Sequence, residues 1–299
     1  MMDSGITAST GEQHYRYCSD APNAAYSILC IDKGKNNYND ILRGNLFEKA
    51  EMSIVWQKKS GQDLYEVRSA GKSLRLYRNG VLHTQYNSSR PISGTLWDLL
   101  LIPAFFYGPE AIRRVLVLGV GGGAVIRLLN HFVKPDEIVG VELNPLHIHI
   151  ARRFFGIGPR QARLVRADAV NWIKNYRGPA FDMIVDDLFD EENGQPKRSV
   201  IADKDWFILL QNLLSSQGVL AMNFATRPEL KKCAYFHDFD VQKRFGSAFQ
   251  LNKPQYENTI GVFLTETVTS RELRLNLAQE PGLDPHVKGT RLYYRIRKI

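Results

Sequence analysis

Cysteine is scarce. Cys18, Cys30 and Cys233 are the three in 299 residues, far apart and without a CxxC spacing, which argues against both a disulfide framework and a zinc site. Long apolar runs are missing too: the longest, Leu99 to Tyr107, contains Pro103 and is too short to span a bilayer. The opening MMDSGITASTGEQHYRYC lacks the apolar core of a secretory leader, so a cytoplasmic protein without membrane association is expected. Metal-ligand spacings are lacking. His147 and His149 stand two apart on a presumed helix and do not share a face, which marks them as structural or surface residues, and His237, Asp238 and Asp240 fit no HExxH pattern, so no metal is expected. Internal repeats and low-complexity tracts are absent.

Acid excess is absent as well, the formal net charge being +8. A basic balance attracts nucleic acid or anionic surfaces, and Arg291, Arg295, Arg297 and Lys298 interleave with Tyr293 and Tyr294 near the end of the chain. The plainer reading of that tail is an exposed strand face. A nucleic-acid partner stays open, with no motif to support it. Apolar content of 44% and charged content of 23% are those of an ordinary globular protein.

What is present centres on Gly119 to Gly123. RVLVL before it (Arg114 to Leu118) is a continuous apolar run of strand length, and AVIRLLNHF after it (Ala124 to Phe132) suits a short buried helix. Glycine at 119, 121 and 123 permits positive φ and close approach of a ligand, and the helix start behind it offers N–H groups to an anion. The looser dinucleotide fingerprint is also satisfied by Gly119, Gly121 and Ala124, so a dinucleotide oxidoreductase remains possible at this point.

Three further strands narrow the choice. EIVGVELN closes on Glu142, where a carboxylate can accept two ribose hydroxyls; ARLVRADAVNWI ends a strand at Asp168; FDMIVDD ends one at Asp187. Acids therefore stand at the carboxyl ends of three successive strands, where ligands bind in open parallel sheets. DDLFDEE gathers Asp186, Asp187, Asp190, Glu191 and Glu192 in one loop on a basic protein. Crowded carboxylates repel one another, which suggests a bound cation there, an amine or a sulfonium, the plain alternative being a solvated loop with helix-capping acids.

Around this core, residues 1–45 read as an irregular lead-in. Short β-type runs punctuated by Ser60-Gly61, Gly71 and the hairpin signal Asn79-Gly80 make a small antiparallel unit at 46–91. SGTLWDLLLIPAFF reads as a buried helix bent or ended at Pro103. The main domain then runs over 92–267. RPELKKCAYFHDFDVQKRFG reads as one helical crossover, FQLNK and NTIGVFLTE as strands, and 268–299 as a capped helix with the basic tail.

VLVLGVGGG, VELN, RADA and FDMIVDDLFD resemble the ordered motifs of class I S-adenosylmethionine-dependent methyltransferases, in particular the spermidine synthase-like branch, and ADKDWFILLQNLLSSQGVLAMN resembles that branch's helix, turn and fifth strand. The resemblance covers about residues 75 to 265. It implies an α/β, Rossmann-like sheet of seven mostly parallel strands with helices on both faces, preceded by the small antiparallel unit. It further implies that Gly119, Gly121, Gly122, Gly123, Glu142, Asp168, Ala169 and Asp187 bind the adenosyl cofactor, with Asp168 taking the adenine amino group or, alternatively, capping a helix. Asp187 and Asp190 align with the two acids of the DSSD segment of spermidine synthases, and the second implies that Asp190 orients and deprotonates the attacking amine.

Two departures stand out. Spermidine synthases carry GGGDGG at the turn, with an Asp that holds the donor's amino group, where this chain has Gly122; and their DE and Tyr-Gln-Glu segments are replaced by QYNSSRPISGTLWD. The expectation is accordingly methyl transfer from S-adenosylmethionine to a small-molecule or protein amine. The alternatives are aminopropyl transfer from decarboxylated S-adenosylmethionine and a nonenzymatic nucleotide-binding module; a homodimer is a possible assembly.

Overall fold

The computed structural model describes residues 52–192, 195–284 and 286–299, with the side chains of 191, 192 and 195 left aside. The lead-in of residues 1–45, Cys18 and Cys30, and the side chains of Glu191 and Glu192 lie outside the described residues.

Strands β1 (Ser53–Ser60), β2 (Asp63–Ala70), β3 (Ser73–Arg78) and β4 (Val81–Asn87) form an antiparallel sheet in sequence order. Asn79 and Gly80 join β3 to β4 with φ of 51° and 83°. Two successive left-handed residues give the tight turn whose twist matches the strands it connects, and only Asn-Gly and similar pairs adopt it cheaply. The sheet is not a free-standing appendage: Tyr65, Val67, Leu76 and Tyr86 are buried in the same apolar core as the main domain.

Among the described residues the main sheet has eight strands in the order β14-β12-β13-β11-β8-β5-β6-β7, namely β5 (Arg114–Leu118), β6 (Glu137–Glu142), β7 (Arg163–Arg166), β8 (Phe181–Asp186), β11 (Leu214–Phe224), β12 (Ser247–Asn252), β13 (Thr259–Leu264) and β14 (Arg295–Lys298). The five strands from β11 to β7 pair in parallel, and β13, β12 and β14 are antiparallel. Seven strands were expected; the basic tail contributes the eighth. Its Arg295, Arg297 and Lys298 are exposed on the edge strand, where charge discourages pairing with another edge.

Along β5 side chains alternate between two cores. Val115 and Val117 join α2 (Ala124–Phe132) and α3 (Pro145–Arg153) on one face, while Leu116 and Leu118 join α4 (Ala169–Asn175) and α5 (Lys204–Gln211) on the other. Burial on both faces is why these strands read as unbroken apolar runs. The chain winds from β5 through β6 to β7 in one direction, then returns to place β8 on the other side of β5. This reversal opens a crevice at the carboxyl ends of β5 and β8, the place where open α/β sheets bind ligands.

Two segments differ from the sequence reading. The crossover at 227–246 is broken into α6 (Arg227–Lys232), a 3-10 turn and α7 (Phe239–Gln242), because Cys233 turns extended and Asp238 caps a new start through Val241 N–H. The acidic stretch is not a loop but a hairpin, β9 (Phe189–Glu192) with β10 (Gln195–Arg198), in which Asp190 stands opposite Lys197.

Candidate active site

A cleft of about 740 Å³ opens at the crevice between β5, β6 and β8 and is walled by β2, β3 and β4 of the small sheet. Its size suits a nucleoside-sized ligand together with a second small molecule. Gly119 begins the floor with φ of 81°, and its α-carbon lies so close to the Asp187 carbonyl that any side chain would strike it. Only glycine allows this approach of β5 and β8.

The turn does not offer its N–H groups freely. Val120 and Gly121 donate to Glu142 Oε2 at 3.0 and 2.9 Å, Asn144 donates to Oε1 at 2.8 Å, and Gly122 donates to Thr84 Oγ1 at 2.7 Å. The anion expected at the turn is therefore the protein's own Glu142. Burial raises the pKa of that carboxyl, but hydrogen bonds and charge from His147, with the backbone donors, outweigh it and leave the value lowered.

Gly122 is enclosed. A β-carbon there would sit 2.9 Å from Thr84 Cγ2 and 2.9 Å from Phe155 Cε2. The threonine from β4 thus takes the space in which an acidic side chain at this position would begin.

Asp168 lines the cleft and also caps α4, its Oδ1 accepting Asn171 N–H at 2.8 Å; Ala169 beside it is buried. Its two readings, ligand contact and helix cap, are geometrically compatible.

The acids after β8 separate by environment. Asp186 is buried and held by Arg198 Nη2 and Trp206 Nε1, each at 2.8 Å, so it serves packing. Asp187 faces the cleft. Asn223 Nδ2 donates to its Oδ1 at 2.7 Å and the Trp97 indole donates as well, yet burial with the nearby Asp186 pushes its carboxyl up to about 6. Asp190 lies at the rim, exposed, with Arg78 Nη1 3.0 Å away; the same guanidinium reaches Asp63 at 2.8 Å.

Several lining residues escaped the sequence reading. His83, Arg78 and Tyr65 come from the small sheet, and Trp97 begins α1 (Trp97–Leu101). Asp98 and Lys253 fix Trp97 in place, their buried pair at 3.1 Å tying α1 to the loop after β12, which carries Tyr256 into the same cleft. His147, read as structural or surface, is buried with Nδ1 3.6 Å from Glu142 Oε2. The nearest signal was its place in the first turn of α3, just after Glu142 and the Asn144 cap.

A model of the spermine/spermidine synthase domain matches residues 100–270, more than half of the chain. The chain belongs to this family. As a member of it, the protein is a transferase. Among spermidine synthase-like relatives, polyamine aminopropyltransferase 2 of Caldanaerobacter subterraneus subsp. tengcongensis is 29% identical over 221 residues, 71% of each chain. A polyamine aminopropyltransferase of Vibrio vulnificus is 30% identical over 160 residues, 52% of this chain and 51% of its own. Of solved structures, a probable spermidine synthase of Corynebacterium glutamicum superposes with a TM-score of 0.61 at 14% identity, over 82% of this chain and 91% of that one. Spermidine synthase from Thermotoga maritima gives 0.57 at 13%, over 80% and 82%. These likenesses establish the Rossmann-like methyltransferase fold. Among the described residues no helix is long and apolar enough to cross a membrane.

Proposed function

We propose that this protein transfers an aminopropyl group from decarboxylated S-adenosylmethionine to an amine acceptor. The relatives named as polyamine aminopropyltransferases favour this reaction over the methyl transfer expected from the turn. The observation that carries the mechanism is Asp187, a cleft-facing carboxyl raised to about 6 and oriented by Asn223 and Trp97.

The bound donor supplies an electrophilic carbon whose bond to sulfur breaks as the amine nitrogen attacks. An amine is an ammonium at neutral pH and must lose a proton before it can attack. Asp187 is largely ionised above its raised value and basic enough to accept that proton, which is the match a general base needs. Glu142 receives a ribose hydroxyl, and Asp168 with Ala169 lies at the adenine end, as the family resemblance implies. Trp97 and Tyr256 flank the acceptor side, and Arg78 holds Asp190 at the rim. In this reading the small sheet, β1 to β4, forms the wall that closes the cleft.

Methyl transfer is the second reading, favoured by the lack of a carboxylate at Gly122 to hold the ammonium of a decarboxylated donor. Product analysis separates the two. Incubation of the full chain with butane-1,4-diamine and each donor should release 5′-methylthioadenosine from decarboxylated S-adenosylmethionine. Release of S-adenosylhomocysteine from S-adenosylmethionine alone would replace aminopropyl by methyl transfer.

A further inference from the structure

Asp187 is gripped from two sides, and both grips lead back to one buried ion pair. On one side Asn223 Nδ2 donates to its Oδ1 at 2.7 Å, and Asn223 Oδ1 in turn accepts Asn258 Nδ2 at 3.1 Å. Turned over, the Asn223 amide would set its oxygen against the carboxylate; the N–H of Asn258 favours the orientation that donates. On the other side the donor is the Trp97 indole. The charged groups that act on Asp187 are Asp186 and Arg198, at the ends of β8 and β10.

Asn258 and Trp97 stand on different segments. Asn258 closes the loop from β12 to β13, which begins at the buried Lys253; Trp97 opens α1, with the buried Asp98 as its neighbour. Lys253 Nζ donates to Asp98 Oδ2 at 3.1 Å and to the Thr95 carbonyl at 2.9 Å, and Gly94 N–H donates to the same Asp98 oxygen at 2.7 Å. Taking two charges out of water costs desolvation that their attraction does little more than offset, so such a pair adds little to stability, and uncharged side chains could fill the same space. What the charges add is direction. An ammonium held between two fixed acceptors admits one placement of its loop against α1.

We propose that Lys253 is a positioning residue for the reaction: through Asp98 it locks α1 and the β12–β13 loop in one register, so that Trp97 and the Asn258–Asn223 amides meet Asp187 together. The inference rests on the reading of Asp187 as the base. Neither Lys253 nor Asp98 lines the cleft, so their influence reaches the acceptor amine only through the residues they place.

The test uses the full chain with Lys253→Met and Asp98→Asn combined, which removes both charges without leaving a lone buried one, and separately Asn258→Ala. Both variants should bind 5′-methylthioadenosine within about twofold of wild type in calorimetry, because the adenosyl end of the cleft is untouched. With decarboxylated S-adenosylmethionine and butane-1,4-diamine, kcat should fall about tenfold or more, the scale of a misplaced reacting group. Donors that miss Asp187 no longer favour its ionised form, so the apparent pKa of turnover should move from near 6 up to about 7. A purely structural pair would lower the melting temperature and leave that pKa in place. Wild-type kcat and pH profile in both variants, or nucleoside binding that falls as far as kcat, overturns the role of Lys253. Asp187→Asn separates the two readings: if it abolishes turnover while the other variants match wild type, only the present inference falls, and if it retains turnover, both fall.

Discussion

Replacing Asp187 with asparagine should stabilise the fold at alkaline pH while removing activity. The carboxyl lies about two pKa units above its ordinary 3.8, because burial disfavours its charged form. Each unit corresponds to about 1.4 kcal/mol, so ionising Asp187 in the folded protein costs up to about 3 kcal/mol, reduced by whatever solvent reaches it. The folded state binds the proton more tightly than the unfolded one. Its contribution to stability is therefore fully present below the unfolded pKa and is lost as pH rises through about 6. Asparagine has no such loss and still offers an oxygen to Asn223 Nδ2. Thermal melts at pH 4.5 and pH 8 should show the variant gaining several degrees relative to wild type at the higher pH only, given about 2 to 4 °C per kcal/mol for a domain of this size. Turnover should fall by about 100-fold or more, and the wild-type rate should rise with pH through an apparent pKa near 6. A stability difference that does not change between the two pH values would refute the buried-carboxyl argument, and retained turnover would remove Asp187 as the base.

Three further outcomes follow from the same geometry. Glu142→Ala should weaken adenosyl-nucleoside binding by about 1 to 3 kcal/mol in calorimetry and also lower the melting temperature, because Val120 and Gly121 N–H lose their acceptor. Gly122→Asp should lower stability by about 1 to 3 kcal/mol in denaturant titration, since Thr84 and Phe155 fill the space; a neutral effect would show that β4 yields readily. Asp190→Asn should change stability by less than about 1 kcal/mol, as expected for an exposed ion pair, and should raise the acceptor KM more than it lowers kcat; a 100-fold fall in kcat at unchanged KM would return the base to Asp190.

Much of the architecture was legible because it is written in local pattern. RVLVL read as a strand, Gly119 to Gly123 as the turn into a helix, and Asn79-Gly80 signalled its hairpin through backbone conformation alone. The acids at Glu142, Asp168 and Asp187 followed from the same logic, since the ends of parallel strands converge wherever the winding reverses. Periodicity carries no information about partners from distant segments. It was the packing of β4 on the glycine turn that put Thr84 where a side chain at 122 would begin, and the close approach of Gly119 to the Asp187 carbonyl that holds Asp187 beside the turn. Burial decided which acid became a base, which became a packing residue and which an exposed rim contact. His147 shows the same division: its spacing from His149 spoke only against a shared helix face, and it was the fold of α3 against β6 that brought its ring to Glu142 and away from water.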